Sequence, residues 1–509
     1  MTGCHYRPLT WLRRYGVDMR RLELLADIDI GDDAAENDAV LDRAFVQTNV
    51  FNRLLQGKID LVTGLKGTGK SALYRMIVEH PDRFPELNDV LVVPAVNPTG
   101  SPVFKALFRE SSSELRLRSL WMAYLTALVA NEVVDQYAAV PGVLARVDEI
   151  RDTIELLGLR RPKHQRLGLL ERIRAAKSFE PTVTADYAGN VTFGLRFEIA
   201  DSKSPGVELE QSDFLLVLRS CNEVLDVVGV RLWVLIDRLD ECFKRDSPVE
   251  RRALRALLRT QLDIASELTL ERRLGLKVFL RSDLLRRMSS DAAFTNLTHL
   301  RSADLRWTKS EIQTIVGRRL LESDRFRSVL RRDALGGREA VAWDSLVPLS
   351  LAGKGKVGSV QTLCSWTCDG HRGFNPRNVL TLLRLAIEHA ANMETSRDLP
   401  SEYDPNDALL RQSDIDSALG ALSVMRFTDT VLNEFPETKP LAKLLDRRGA
   451  LCGSEDDLLA ALGLASASRV RQVGAIDVLL LSGLLGQDGT RYLVPRLYRP
   501  ALRAVGPAA

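Results

Sequence analysis

One stretch restricts what this chain can fold into more than any other. It is Gly64-Leu65-Lys66-Gly67-Thr68-Gly69-Lys70-Ser71, directly after the apolar run Ile59-Asp60-Leu61-Val62-Thr63. The residues behind it, Ala72 to Val78, read as the opening of a helix, so the segment is a strand, a glycine loop and a helix in succession. Its spacing is G-x-x-x-x-G-K-[ST], the P-loop pattern. Glycines let a main chain bend tightly around oxyanions, and the first N–H groups of the helix point at them with the positive end of its dipole. The ligand such a loop suits is a polyphosphate. Gly64, Leu65, Lys66, Gly67, Thr68 and Gly69 would cradle it, Lys70 would bring a charge to the β- and γ-phosphates, and the Ser71 hydroxyl would ligate Mg2+.

A second segment supplies the matching acid. Val230 to Ile236 is a nearly continuous apolar run, as a strand buried on both faces should be, and it ends in Asp237-Arg238-Leu239-Asp240-Glu241. A phosphate-bound magnesium needs a carboxylate at the end of a neighbouring strand, and Asp237 is spaced for it. Another acid must orient or deprotonate the attacking water. Asp240 and Glu241 are both candidates, with Glu241 favoured by its longer reach.

With 509 residues the chain can build about three domains with full cores. A net charge of +3 is small for that length, so composition points to neither nucleic acid nor membrane. No apolar run approaches the ~18 residues of a membrane helix, and Met1 to Arg21 lacks the apolar core of a secretion signal. Six cysteines in so long a chain are no disulfide framework. The expected compartment is the cytoplasm. Cys364, Cys368 and His371 form a C-x3-C-x2-H cluster without a fourth ligand nearby, which reads as ordinary thiols in a connecting segment.

Further strand candidates are Val90–Val96, Leu276–Leu280 (ending in Arg281-Ser282-Asp283) and a segment near Leu297–Leu305. The alternation of strands and helices predicts an α/β fold: a P-loop NTPase core with a mostly parallel sheet, then a helical lid and a C-terminal winged-helix-like domain. The expected boundaries are 1–40 for a peripheral N-terminal extension, 41–305 for the core, 306–395 for the lid and 408–509 for the last domain. Within the core, Leu41 to Leu55 reads as one helix and 141–205 as an insertion with a hairpin. The insertion's basic stretch (Arg160, Arg161, Lys163, His164, Arg166, Arg172, Arg174, Lys177) reads as a solvated face or a nucleic-acid contact. Leu117, Leu120, Trp121, Tyr124, Leu125 and Leu128 mark one apolar helix face. Asn375-Pro376-Arg377 opens another helix. In the last domain the helix candidate for base reading offers few basic residues beyond Arg469 and Arg471, which favours packing or protein contact.

The pair GLKGTGKS and LWVLIDRLDE resembles the P-loop ATPases with an additional catalytic acid, the branch of AAA+, STAND and KAP-like proteins. The runs AFVQTNVFNRLLQGKIDLVTGLKGTGKSALYRMI, VFLRSDLLRR and GFNPRNVLTLLRLAI are similar to a group of bacterial P-loop ATPases, some of them beside phage-defence genes. The resemblance covers about residues 40 to 390. It implies ATP and Mg2+ as cofactors and hydrolysis coupled to conformational switching. It also implies Arg281 or Ser282 as a sensor, Arg377 as the lid arginine that reads the γ-phosphate, and Arg286 or Arg287 as an arginine finger. A second copy of the chain, DNA or a defence effector are the implied partners, with no membrane. A nucleotide-gated DNA-binding or scaffold protein with little turnover is the alternative. One departure stands out: Arg238 occupies the place where AAA+ proteins usually carry Glu.

Overall fold

The computed structural model describes residues 20–95, 113–157, 159–160, 176–185, 191–199, 207–239, 248–268, 273–289, 300–330, 337–348, 351, 358–398, 401–447 and 452–505. These fall into two compact units, one from 47 to 305 and one joining 20–46 to 306–505.

The first unit is α/β. Strands β1 (Leu61–Gly64), β2 (Val90–Pro94), β6 (Arg231–Ile236), β7 (Leu274–Arg281) and β8 (Ser302–Asp304) form a five-stranded sheet in the order β2-β6-β7-β1-β8. Every neighbouring pair is parallel. Parallel neighbours require crossovers, and helices Lys70–Glu79, Glu114–Tyr137, Pro248–Glu267 and Ser282–Ser289 lie in the connections. Leu232 to Ile236 are all buried, as the unbroken apolar run required. One expectation about the sheet changes. β7 lies between the glycine-loop strand β1 and the acidic strand β6, so Asp237 ends the strand after next rather than the adjacent one.

Helix Glu114–Tyr137 buries Leu117, Leu120, Trp121, Tyr124 and Leu125, but also Met122, Ala123 and Ala127. It is covered on several sides because helices Leu144–Leu156, Gln211–Val227 and Pro248–Glu267 all pack on it. The Trp121 indole N–H donates to the carbonyl of Ala253 at 2.9 Å, anchoring the contact with Pro248–Glu267. The insertion holds β3 (Ala176–Ala185) and β4 (Val191–Ile199), an antiparallel pair as expected, joined by a strand the sequence did not suggest, β5 (Val207–Glu210). Of its basic stretch, Arg160 binds Asn131 and Asp135 on helix Glu114–Tyr137. Arg161, Lys163, His164, Arg166, Arg172 and Arg174 lie outside the described residues, and Lys177 is described only in its backbone.

The expected helix from Leu41 to Leu55 is two short ones, Leu41–Ala44 and Asn49–Leu55. Thr48 breaks the run by capping the second, its hydroxyl accepting from the Phe51 N–H at 3.2 Å. The boundary between the units falls in this break.

The second unit is mainly helical. Residues read as a peripheral extension are part of its core: Leu24, Leu25, Ile28 and Ile30 share one apolar cluster with the helices of the expected lid and last domain. Three buried arginines tie this segment down. Arg21 donates to Glu394 at 2.5 Å, Asp414 at 3.1 Å and the Leu409 carbonyl at 2.8 Å. Arg319 grips Asp38 through two bonds, at 2.6 and 3.0 Å. Arg426 donates to Asp33 at 2.9 Å, Thr381 at 2.8 Å and Asn378 at 2.9 Å. Helix Pro376–Thr395 starts where expected, with Pro376 in its first turn, although the Asn375 side chain makes no capping bond. Toward the C-terminus, helices Thr438–Arg447, Glu455–Ala461 and Arg469–Leu481 accompany a small antiparallel sheet. Its strands are β9 (Cys452–Gly453), β10 (Gly486–Asp488) and β11 (Arg491–Leu493), in the order β10-β11-β9. Ile476, Leu479, Leu484 and Leu485 are buried, so the apolar run there is packing. Among the described residues no helix is long and apolar enough to cross a membrane.

Burial opposes ionisation of Asp33, but the hydrogen bond and charge of Arg426 and the charge of Arg377 outweigh it and hold the carboxyl below its usual range. Glu394 is likewise held low against burial, by bonds from Ser401 and Arg21. A depressed carboxyl stabilises the fold fully above its unfolded value, about 4, and that contribution is lost as pH falls through the lower folded value. Urea midpoints should therefore drop more steeply below about pH 4 for wild type than for Asp33→Asn/Glu394→Gln, which should be weaker at pH 7 and flatter on acidification.

Candidate nucleotide-binding site

β1 ends at Gly64, and helix Lys70–Glu79 begins after Gly69, the residues between forming a closed loop. The loop needs its glycines. Gly67 and Gly69 stand at φ +83° and +92°, the left-handed region, and a Cβ at Gly64 would lie 2.5 Å from Thr68 Oγ1. The Thr68 hydroxyl donates to the Leu65 carbonyl at 2.9 Å, closing the turn from inside. The Lys70 ammonium folds onto the same loop, donating to the carbonyls of Gly64 at 2.8 Å and Leu65 at 3.0 Å. A lysine that opens a helix and reaches back to the loop's first residues sits over the concavity the loop encloses.

Asp237 is buried at the carboxyl end of β6. Its charge is felt at Tyr74 on the loop's own helix. Burial first, and then Asp237, push the Tyr74 phenol up to about 12. The Tyr74 ring meets Phe279 of β7 edge-on at 6.0 Å, which sets this side of the helix against the intervening strand. The next residue, Arg238, has φ +58°, a left-handed conformation that costs a non-glycine residue about 1–3 kcal/mol. Such a turn directly after the acid, followed by buried Leu239, redirects the chain at the sheet's carboxyl edge.

Arg281 and Ser282 follow from β7. Gly64 pairs with Arg281, so both flank the loop's start. Arg281 is spent on Asp283, with two bonds of 3.0 and 2.8 Å. The Ser282 hydroxyl donates to Asp304 Oδ1 at 2.7 Å. Asp240 and Glu241 lie outside the described residues. Arg286 is exposed, and the Arg287 side chain lies outside the described residues. Arg377 belongs to the second unit, where its Nε donates to the Asp33 carbonyl at 3.0 Å. Sequence reasoning missed Tyr74 and Asp304. Only pairing between strands brings Asp304 to Ser282, so no local signal marks it.

The residues fit a magnesium–polyphosphate. The cradle is one a Cβ would fill, the helix behind it opens with Lys70, and the metal donors on offer, the Ser71 hydroxyl and the Asp237 carboxylate, are hard oxygens. Cys364 is buried in helix Ser359–Thr367, its thiol pushed up to about 12 by burial, and the Cys368 thiol donates to the Cys364 carbonyl at 3.1 Å. Among the described residues no group of three or more His, Cys, Asp or Glu is arranged to hold a metal.

No protein-family model matches the chain, and no curated protein does. Among solved structures it is similar to the Orc2 protein of Aeropyrum pernix in ADPNP–ADP complexes, at 16% identity over 90% of this chain and 89% of that one, with a TM-score of 0.40. It is similar to the Orc1 protein of Aeropyrum pernix in complex with DNA, at 16% identity over 96% and 95%, TM-score 0.35. A third is the Walker-type ATPase PABY2304 of Pyrococcus abyssi, at 10% identity over 95% and 99%, TM-score 0.39.

Proposed function

We propose that the chain binds Mg–ATP at Gly64–Ser71, hydrolyses it, and uses the nucleotide state to switch conformation. One observation carries this reading: a glycine-shaped loop with its lysine at a helix start, in a parallel sheet whose strand β6 ends in a buried Asp237 felt electrostatically on the loop's helix. Ser71 and Asp237 are the magnesium holders in this reading. Held there, a magnesium ion would supply positive charge to offset that of the triphosphate. Asp240 or Glu241 orients the water, Arg377 is the lid arginine, and exposed Arg286 is the finger offered to a second copy of the chain.

The deciding experiment compares nucleotide binding and turnover in wild type, Asp240→Asn and Glu241→Gln, with and without DNA. One variant should keep ATP affinity and lose turnover by about 10²-fold or more, the usual worth of a positioned acid or base. The alternative is a nucleotide-gated DNA-binding protein with little turnover. It is supported by the order of helices and strands in 438–493, which is that of a winged helix, and by exposed Val470 and Arg471 on helix Arg469–Leu481. That alternative stands if wild type turns over no faster than either variant while ATP changes a salt-dependent DNA affinity.

A further inference from the structure

Three adjacent strand ends meet at one carboxylate oxygen. Asp304, the last residue of β8, pairs with Thr63 of β1, while Gly64 of β1 pairs with Arg281 of β7. Thr63 Oγ1 donates to Asp304 Oδ1 at 3.0 Å, and from the far side of β1 Ser282 Oγ donates to the same oxygen at 2.7 Å. Both donors are buried, Thr63 at 6% and Ser282 at 8% exposure, directly beneath the start of the glycine loop.

A serine hydroxyl has one proton and two lone pairs. A proton given to a carboxylate in a short, charge-assisted bond is not available to a phosphate oxygen, which can only accept. What Ser282 keeps is its capacity to accept, and the partner at such a site with a proton to give is water. A sensor role in which Ser282 donated its proton to a phosphate oxygen conflicts with this arrangement. We propose that Asp304 is a positioning residue: by taking the Ser282 proton it leaves the Ser282 oxygen as an acceptor that orients the attacking water. One O–H of that water is held by Ser282. This inference rests on the reading of the loop as an ATP-hydrolysing site.

The test measures Mg–ATP turnover and, separately, ATPγS affinity by calorimetry, for wild type, Ser282→Ala, Asp304→Ala, Asp304→Asn, Thr63→Val and the Ser282→Ala/Asp304→Ala double variant. Each alanine variant should lower kcat about tenfold, the worth of one orienting hydrogen bond, and the double variant should be no worse than either. Asp304→Asn should stay near wild type, because its amide oxygen still accepts. Asp304→Ala should bind ATPγS as tightly as wild type or tighter, since the freed Ser282 proton can then go to a phosphate oxygen. Thr63→Val should lose stability and keep kcat. The inference is overturned by wild-type kcat in Asp304→Ala or Ser282→Ala. It is overturned equally by losses that multiply in the double variant, or by Thr63→Val slowing turnover as much as Asp304→Ala. If alanine at 304 prevents folding, Asp304→Ser, too short to reach Ser282, reads the same loss. A Lys70→Ala protein that still binds and hydrolyses ATP removes the underlying site, and does so independently of residues 282 and 304.

Discussion

Lys70→Ala is expected to weaken ATP binding by about 10²-fold and to bring hydrolysis to background, measured by calorimetry with ATPγS and by phosphate release. The lysine's ammonium makes two short bonds to the carbonyls of Gly64 and Leu65, which places it over the mouth of the loop. A bound triphosphate would offer it anionic oxygens in place of neutral carbonyls, and hydrogen bonds to charged groups are worth about 1.5–3 kcal/mol each. One or two such bonds account for the predicted loss of affinity. Alanine also leaves the two carbonyls to water, so the loop should persist and the fold should keep its melting temperature within a few degrees. Lys70→Arg should recover little, because a planar guanidinium does not reproduce the compact point charge and freely rotating donors of an ammonium. Affinity within threefold of wild type in Lys70→Ala would contradict the proposed site.

The second large effect concerns stability rather than chemistry. Asp60→Ala should destabilise the 47–305 unit by about 3–5 kcal/mol, read from chemical denaturation. Lys277, in the middle of β7, is 2% exposed, and its ammonium donates to Asp60 at 3.0 Å and to the Ile59 carbonyl at 2.8 Å, with the Trp233 ring 4.5 Å away. Asp60 also receives a bidentate Arg301, at 2.8 and 2.9 Å. Removing the carboxylate takes from a buried ammonium the opposite charge that offsets its lost solvation. Native stabilities run to about 5–15 kcal/mol, so the loss is a large share of the total. Lys277→Met should cost much less, since the charge leaves with the partner and Asp60 keeps Arg301. This network lies at the amino end of β1, about 13 Å along the strand from the loop, so nucleotide affinity of folded protein should not change. A drop in affinity in Asp60→Ala, measured where the protein remains folded, would show that the strand's two ends are coupled.

Much of the fold was legible because its signals are local. A strand buried on both faces has to be apolar throughout, and Leu232 to Ile236 are. The turn at Gly67 and Gly69 demands left-handed backbone, which few residues other than glycine adopt. Elsewhere local signals misled. Leu41 to Leu55 carries helical periodicity across a break that a single capping threonine and a unit boundary impose. Residues 1–40 read as a peripheral extension, yet Asp33 and Asp38 within them are held by Arg426 and Arg319.

The sequence by itself determined that a glycine loop would follow a strand and open a helix, and that a second apolar strand would end in Asp237, because bond geometry and hydrogen-bonding capacity act between residues a few positions apart. Tertiary structure alone decided the order of the strands, and with it the place of β7 between the loop and Asp237. It also decided which charges are buried together: Asp33 meets Arg426 across 393 positions, and Ser282 meets Asp304 across the strand between them. Periodicity records that a face is buried but not what covers it, so pairings made by distant segments leave no mark along the chain.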